Sequence, residues 1–269
     1  MEKSLTNFRA VILAASLVLA TTISNAAQTS CPDHFAGGEA PDIINQKLTS
    51  KVREVCYSEF GLLHSGVTRT PLYSAEHLTR ERLMLAKSMK RKSKFYPDPS
   101  IPVSERAELH HYARSGYDRG HMAPSADMSN EMSQQECFSL ANMIPQDPEV
   151  NRGKWEGIES AVRKLTKERG ELYVVTGPIY KGGQLQRIGG AVMVPTQIFK
   201  AIYDPKRKEA GAYLIDNATG AQPQKMSIAD LEKISGISIF PSISARAKSG
   251  VMQLPEPKSY RERMGKGGR

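Results

Sequence analysis

What this 269-residue chain has little of narrows its reading before any motif is considered. It holds three cysteines, Cys31, Cys56 and Cys137, and no two stand in a Cys-x-x-Cys spacing, which argues against a zinc ribbon or any thiolate-held metal. Acidic residues are the minority, 28 against 37 lysines and arginines, for a net charge of +9. A basic surface points to polyanionic partners: nucleic acid, anionic lipid or acidic glycan. There is no internal repeat, and past the N-terminus no apolar run long enough to span a bilayer. Solenoids and multi-span membrane proteins are thereby set aside. With 39% hydrophobic residues the chain has enough apolar surface for a packed globular core.

The N-terminus is the one apolar stretch of length. Lys3 and Arg9 lead into the run 10–20, and the small residues Ser24 and Ala26 follow where a signal peptidase reads. Residues 1–26 are therefore expected to be a signal peptide, cleaved after Ala26, with Ala27 the alternative. Losing Glu2, Lys3 and Arg9 lowers the net charge by one, so the working domain stays basic. Export, whether to a periplasm or to the medium, makes a disulfide plausible, and Cys31 and Cys56, which flank one loop, are the expected pair. Cys137, beside Phe138 and Leu140, reads as a buried thiol.

Further along, residues 27–70 read as irregular, 76–92 as a helix running into a basic cluster, and 93–105 as a loop punctuated by Pro97, Pro99 and Pro102. The second half is more regular. Trp155, Ile158, Val162 and Leu165 form one apolar stripe of a helix over 153–169, stopped by Gly170. Residues 171–176 predict a strand ended by Gly177-Pro178. Strands are also expected within 190–203 and at 210–215, and Ser227 with Asp230 predicts a helix start. The domain is expected to span 27–245, followed by a basic, disordered tail over 246–269.

The chemistry is carried by three strings. The first is Tyr117-Asp118-Arg119-Gly120-His121-Met122-Ala123-Pro124, the second Asn142-Met143-Ile144-Pro145-Gln146, the third Asn151-Arg152-Gly153-x-Trp155-x-x-Ile158-Glu159-x-x-x-Arg163. Phosphodiester hydrolysis needs an activated water, a cation on the phosphoryl oxygens and help for the departing oxygen. A neutral imidazole takes a proton from water near pH 7, and His121 suits that role. Glu159 follows Asn151 by eight residues, about 80° around an ideal helix. Arg163 is one turn beyond Glu159, a spacing that taken alone reads as an ordinary surface ion pair.

In this order and spacing the strings resemble the DNA/RNA non-specific endonuclease family of the ββα-metal superfamily. The resemblance runs from about Cys31 to Pro241 and includes Phe95-Tyr96-Pro97-Asp98-Pro99, Val174-Val175-Thr176-Gly177-Pro178 and Val194-Pro195-Thr196. It implies an α+β fold, a central and mostly antiparallel sheet with flanking helices and a ββα-metal catalytic motif. It implies Asn151 as the direct ligand of Mg2+, with Mn2+ as a substitute, and Glu159 as the holder of metal-bound water. Arg163 and Arg91 are the implied phosphate clamps. Arg119 either contacts phosphate or braces the site, Asn142 positions the His121 strand, and Asp118 fixes local geometry. The implied activity is hydrolysis of DNA and RNA to 5′-phosphorylated products. Contact through the phosphate backbone, which carries no sequence information, suits that breadth. The rival expectations are a nucleic-acid-binding or uptake protein of nuclease ancestry, and a form anchored by an uncleaved N-terminus. No inhibitor partner is indicated.

Overall fold

The computed structural model describes residues 29–90 and 94–265. The expected signal peptide and Arg91 lie outside the described residues.

The strands that matter for the site are β1 (Val52–Cys56), β2 (Gly61–Ser65), β3 (Thr70–Thr79), β4 (Asp118–His121), β5 (Met143–Gln146), β6 (Glu171–Ile179), β7 (Gln197–Asp204), β8 (Glu209–Asp216) and β9 (Gln224–Met226). Seven of them form one sheet in the order β9-β8-β7-β6-β3-β2-β1, every neighbouring pair antiparallel. β4 and β5 form a separate antiparallel hairpin.

Both faces of the central strands are apolar. Along β6, Leu172 and Val174 enter one core while Tyr173 and Val175 face the other; along β7, Ile198 and Ile202 alternate with Phe199 and Ala201. A period of two with apolar residues on both phases obliges the sheet to be covered on both sides. The helices do this. α1 (Arg80–Ala86) and α2 (Glu156–Arg169) cover one face, where Leu83, Ile158, Val162 and Leu165 pack on it. α3 (Ile228–Ser235) and α4 (Ala245–Ser249) cover the other through Ile228, Leu231 and Ala247. The Ser227 side chain accepts from Asp230 N at 3.1 Å and starts α3 as the sequence predicts. This is the α+β architecture expected, with its antiparallel centre and flanking helices. Among the described residues no helix is long and apolar enough to cross a membrane.

Several sequence expectations need correction. Residues 27–70 are not irregular: β1 and β2 lie there. β1 is one of the sheet's two edge strands, and its exposed Arg53 and Glu54 hide the apolar alternation. The helix expected over 76–92 begins only at Arg80, because β3 continues to Thr79 and buries Leu78 in the core; the Thr79 hydroxyl then accepts from Arg82 N at 3.1 Å and caps α1. β6 runs through Gly177-Pro178 to Ile179. Gly177 is needed there, since a Cβ would lie 2.5 Å from Leu72 O. Nor do residues 246–265 form a disordered tail. Met252 and Leu254 enter the core, Met252 N donates to Ala210 O at 2.9 Å, and Tyr213 Oη donates to Pro255 O at 2.7 Å. The strap ends in α5 (Tyr260–Met264). The expected disulfide joins Cys31 to Cys56, with Cα atoms 5.8 Å apart, and Cys137 is a buried thiol outside any disulfide, its Sγ donating to Gln134 O at 3.2 Å.

Candidate active site

The hairpin sets Asp118 opposite Gln146 and His121 opposite Met143. Its close approach depends on Gly120, where a Cβ would fall 2.0 Å from the Gln146 side-chain oxygen. Immediately after β4 the chain is fastened by Asn142. Its Oδ1 accepts from Ala123 N and from Ser74 Oγ, both at 2.9 Å, and its Nδ2 donates to Ala123 O at 2.9 Å and Cys137 O at 3.0 Å. Met122 N donates to Asn142 O at 3.0 Å. Asn142 is fully buried with both ends of its amide engaged, and it does not line the cleft described below. It ties the end of the His121 strand to β3. The imidazole of His121 packs edge-on against Phe138, centroids 5.0 Å apart, and tilted against Phe95 at 5.7 Å.

Asn151 arrives from the other side. The Asp147 carboxylate accepts from Glu149 N at 2.9 Å and Val150 N at 3.1 Å, starting the short helix Pro148–Val150. A wide π-type turn, Asn151–Trp155, follows, broken at Gly153 (φ −113°, ψ −105°), and α2 begins only at Glu156. The helix expected over 153–169 is thus entered through a bulge, so the 100°-per-residue phase between Asn151 and Glu159 does not hold. Such bulges recur at functional sites. Asn151, Glu159 and Arg163 nevertheless share one cleft of about 610 Å³ with His121, and its wall also carries Lys87, Arg152, Glu156 and Lys167.

Asn151 is held in a defined orientation. Its Nδ2 donates to Asp118 Oδ2 at 2.9 Å. A carboxylate can only accept, so the amide nitrogen must face Asp118 and Oδ1 is the end left to present elsewhere. Arg152 donates to the same carboxylate, from Nε at 2.8 Å and Nη2 at 2.6 Å. Burial acts to raise the Asp118 pKa, but the bonds from Arg152 and Asn151 outweigh it and hold the group below its usual value. A neutral oxygen with a carboxylate on the neighbouring helix suits a hard cation that keeps most of its water, so the donor set fits magnesium. The Cys31, Glu54 and Cys56 grouping offers no rival metal site, because both thiols are spent in the disulfide.

Glu159 sits at the base of the cleft, and burial pushes its carboxyl up to about 7 despite the opposing charges of Arg163 and Lys200. Arg163 Nη1 lies 3.2 Å from the buried Asp127 Oδ1, which fixes the guanidinium at the cleft wall. Arg119 is not in that wall. Its guanidinium stacks over Phe95 at 5.0 Å and Tyr112 at 5.6 Å. Sequence reasoning missed Asp127, and also Glu76 and Arg82 behind it. Arg82 donates to Asp127 O at 2.9 Å, Glu59 O at 2.7 Å, His77 O at 3.1 Å and Glu76 Oε1 at 3.2 Å. The available signal was a glutamate at an inward position of β3, and it shows only once 76–79 is assigned to a strand.

A family model described as DNA/RNA non-specific endonuclease matches residues 39–246. The chain is 36% identical over 214 residues to the mitochondrial nuclease EXOG of Danio rerio, covering 72% of this chain and 62% of that protein. For the human mitochondrial nuclease EXOG the figures are 33% over 210 residues, 70% and 57%. Nuclease C1 of Cunninghamella echinulata is 35% identical over 192 residues, covering 64% of this chain and 76% of its own. A crystal structure of the EndoG/EndoGI complex, described as giving the mechanism of EndoG inhibition, has a chain that superposes with a TM-score of 0.67 at 31% identity, covering 73% of this chain and 88% of that one. The chain spans about three fifths of the length of the two EXOG proteins.

Proposed function

The chain belongs to the DNA/RNA non-specific endonuclease family, and we propose that it is an exported, magnesium-dependent endonuclease that hydrolyses DNA and RNA to 5′-phosphorylated products, with His121 as general base. The observation that carries this reading is the single cleft in which His121 on β4 shares the wall with Asn151, whose amide is locked by Asp118.

His121 accepts the proton of the attacking water, its ring held in place by Phe95 and Phe138. Asn151 Oδ1 and, through water, Glu159 would hold Mg2+, or Mn2+ in its place. When bound, the ion supplies positive charge to the phosphoryl oxygens and to the leaving 3′ oxygen. Arg163 at the cleft wall presents a planar, permanently charged donor to phosphate, and the resemblance adds Arg91 as a second clamp. Lys87, Lys167 and Arg152 at the same wall meet neighbouring phosphates, which accounts for indifference to sequence and sugar. Export is supported by the character of residues 1–26 and by the Cys31–Cys56 bond, which persists in oxidising compartments. The EXOG relatives are mitochondrial, so sequencing the N-terminus of the mature protein is the direct check on export.

The activity is tested by nicking of plasmid DNA and cleavage of RNA in magnesium, repeated with chelator. His121→Ala is expected to lose turnover by about 10²–10⁴-fold while binding of nucleic acid survives. Near-normal cleavage by that variant, or cleavage indifferent to chelator, would sink the reading.

A further inference from the structure

One buried charge has no part in the roles above. Lys200, in the middle of β7, is 1% exposed. Its Nζ donates to a neutral hydroxyl, Thr176 Oγ1, at 2.6 Å and lies 5.6 Å from the centroid of the Trp155 ring. Burying an ammonium is costly unless opposite charge is close at hand, and the register of the sheet provides it. Thr176 of β6 pairs with Lys200 on one side and with Ser74 of β3 on the other. Glu76, two residues beyond Ser74, shares that face of the sheet, the one α2 covers. Glu76 is 1% exposed and 3.2 Å from Arg82. Burial and Asp127 push its carboxyl up, and Arg82 and Lys200 oppose them. Three carboxylates (Glu76, Asp127, Glu159) and three cations (Arg82, Arg163, Lys200) thus form one cluster that runs from the sheet to the cleft, which Glu159 and Arg163 line. Glu156 and Arg163 on its own helix, Lys200 from β7, Asp127 from the turn Ser125–Asp127 and Glu76 from β3 are the charges that face Glu159.

Trp155 is the last residue of the wide turn that begins with Asn151. A cation under an indole face attracts it, the more strongly when both are desolvated. We propose that Lys200 is a positioning residue for the metal-binding turn: it pins Trp155 from below, with Glu76 as its buried counter-ion, and so fixes where Asn151 presents its oxygen. The inference rests on reading the cleft as the magnesium site.

The test compares the unaltered protein with Lys200→Met, Glu76→Gln and the double variant. Magnesium affinity is followed by titration calorimetry, stability by thermal melting above about pH 8, where the buried Glu76 carboxyl is ionised, and kcat and KM on plasmid DNA. Removing the ammonium alone leaves the buried Glu76 with Arg82 as its one near cation, so K200M melts below the unaltered protein. Removing both charges restores much of the lost stability, which keeps the test usable even if K200M does not fold. The double variant is expected to bind magnesium about 10–100-fold more weakly, as loss of an outer supporting group does. Its KM for DNA should stay near that of the unaltered protein, and its kcat should recover as magnesium is raised. Magnesium affinity unchanged in the double variant, beside normal binding by the unaltered protein, would overturn the role of Lys200 alone. A double variant no more stable than K200M would overturn the assignment of Glu76 as counter-ion. No magnesium binding by the unaltered protein would remove the parent reading and this one together.

Discussion

Asp118 and Asn151, 33 residues apart in sequence, meet at 2.9 Å and join the β4–β5 hairpin to the turn before α2. The contact decides which end of the Asn151 amide is free. Asp118→Asn replaces a group that can only accept with one that also donates, and the Asn151 amide loses its fixed sense. The magnesium needed for half-maximal nicking should rise about 10–100-fold. The melting temperature should move little, because the Arg152 partner is 72% exposed and such pairs contribute little. A magnesium titration superimposable on that of the unaltered protein would count against this arrangement.

Asn142→Asp should be more damaging than its size suggests. Two of its four side-chain bonds run from Nδ2 to the carbonyls of Ala123 and Cys137, and a carboxylate would set oxygen against oxygen in a fully buried site. Loss of roughly 3 kcal/mol or more is expected in urea unfolding, from buried groups left without partners. Activity per folded molecule should fall too, since the chain leaving His121 loses its anchor.

Acid lability should trace in part to His64. Burial lowers its imidazole below the usual 6.5, with Nε2 at 2.9 Å from Glu105 O. A folded pKa below the unfolded one gives stability that is complete above about 6.5 and is lost as the pH falls through the folded value. Glu159 slopes the other way: raised to about 7, its carboxyl gives stability that is lost as pH rises from the usual carboxylate range to about 7. Urea midpoints between pH 4 and 7 for His64→Gln, set against the unaltered protein, isolate the histidine contribution. Parallel pH profiles for the two would refute it.

Reducing the Cys31–Cys56 bond should cost about 3.5 kcal/mol, the chain-entropy value for a loop closed over a separation of 25 residues. The bond lies outside the catalytic cleft, so kcat of the protein that stays folded should be retained. Urea unfolding with and without reductant measures the first expectation, and an activity assay under the same conditions the second.

Much of the site was legible because its residues lie in short, ordered strings: Asp118 to His121 on one strand, Asn151 to Arg163 on one continuous stretch. The apolar stripe of α2 and the Ser227 cap were legible from periodicity and hydrogen-bonding chemistry. The bulge at Gly153 was not, since it is a matter of backbone dihedrals that leaves the residue pattern almost untouched. The junction at Thr79 was hidden because strand passes into helix with no glycine or proline between them. Glu76 and Lys200 ran against every hydrophobicity rule, and only the sheet register that brings them to one face accounts for their burial. Met252 and Leu254 were too few to announce that the segment around them is packed.

That packed strap bears on where the protein can be cut. The family match stops at residue 246, but beyond it two side chains complete the core under α2. The Lys258 carbonyl presses so close to Gly157 that a Cβ there would lie 2.8 Å from its carbon. Arg263 meets Glu156 at 2.6 Å and Lys154 meets Glu262 at 2.7 Å, both just after the break at Gly153. A recombinant fragment trimmed to the matched span would therefore be smaller than the cooperative folding unit, and the first part to slacken would be the turn that carries Asn151.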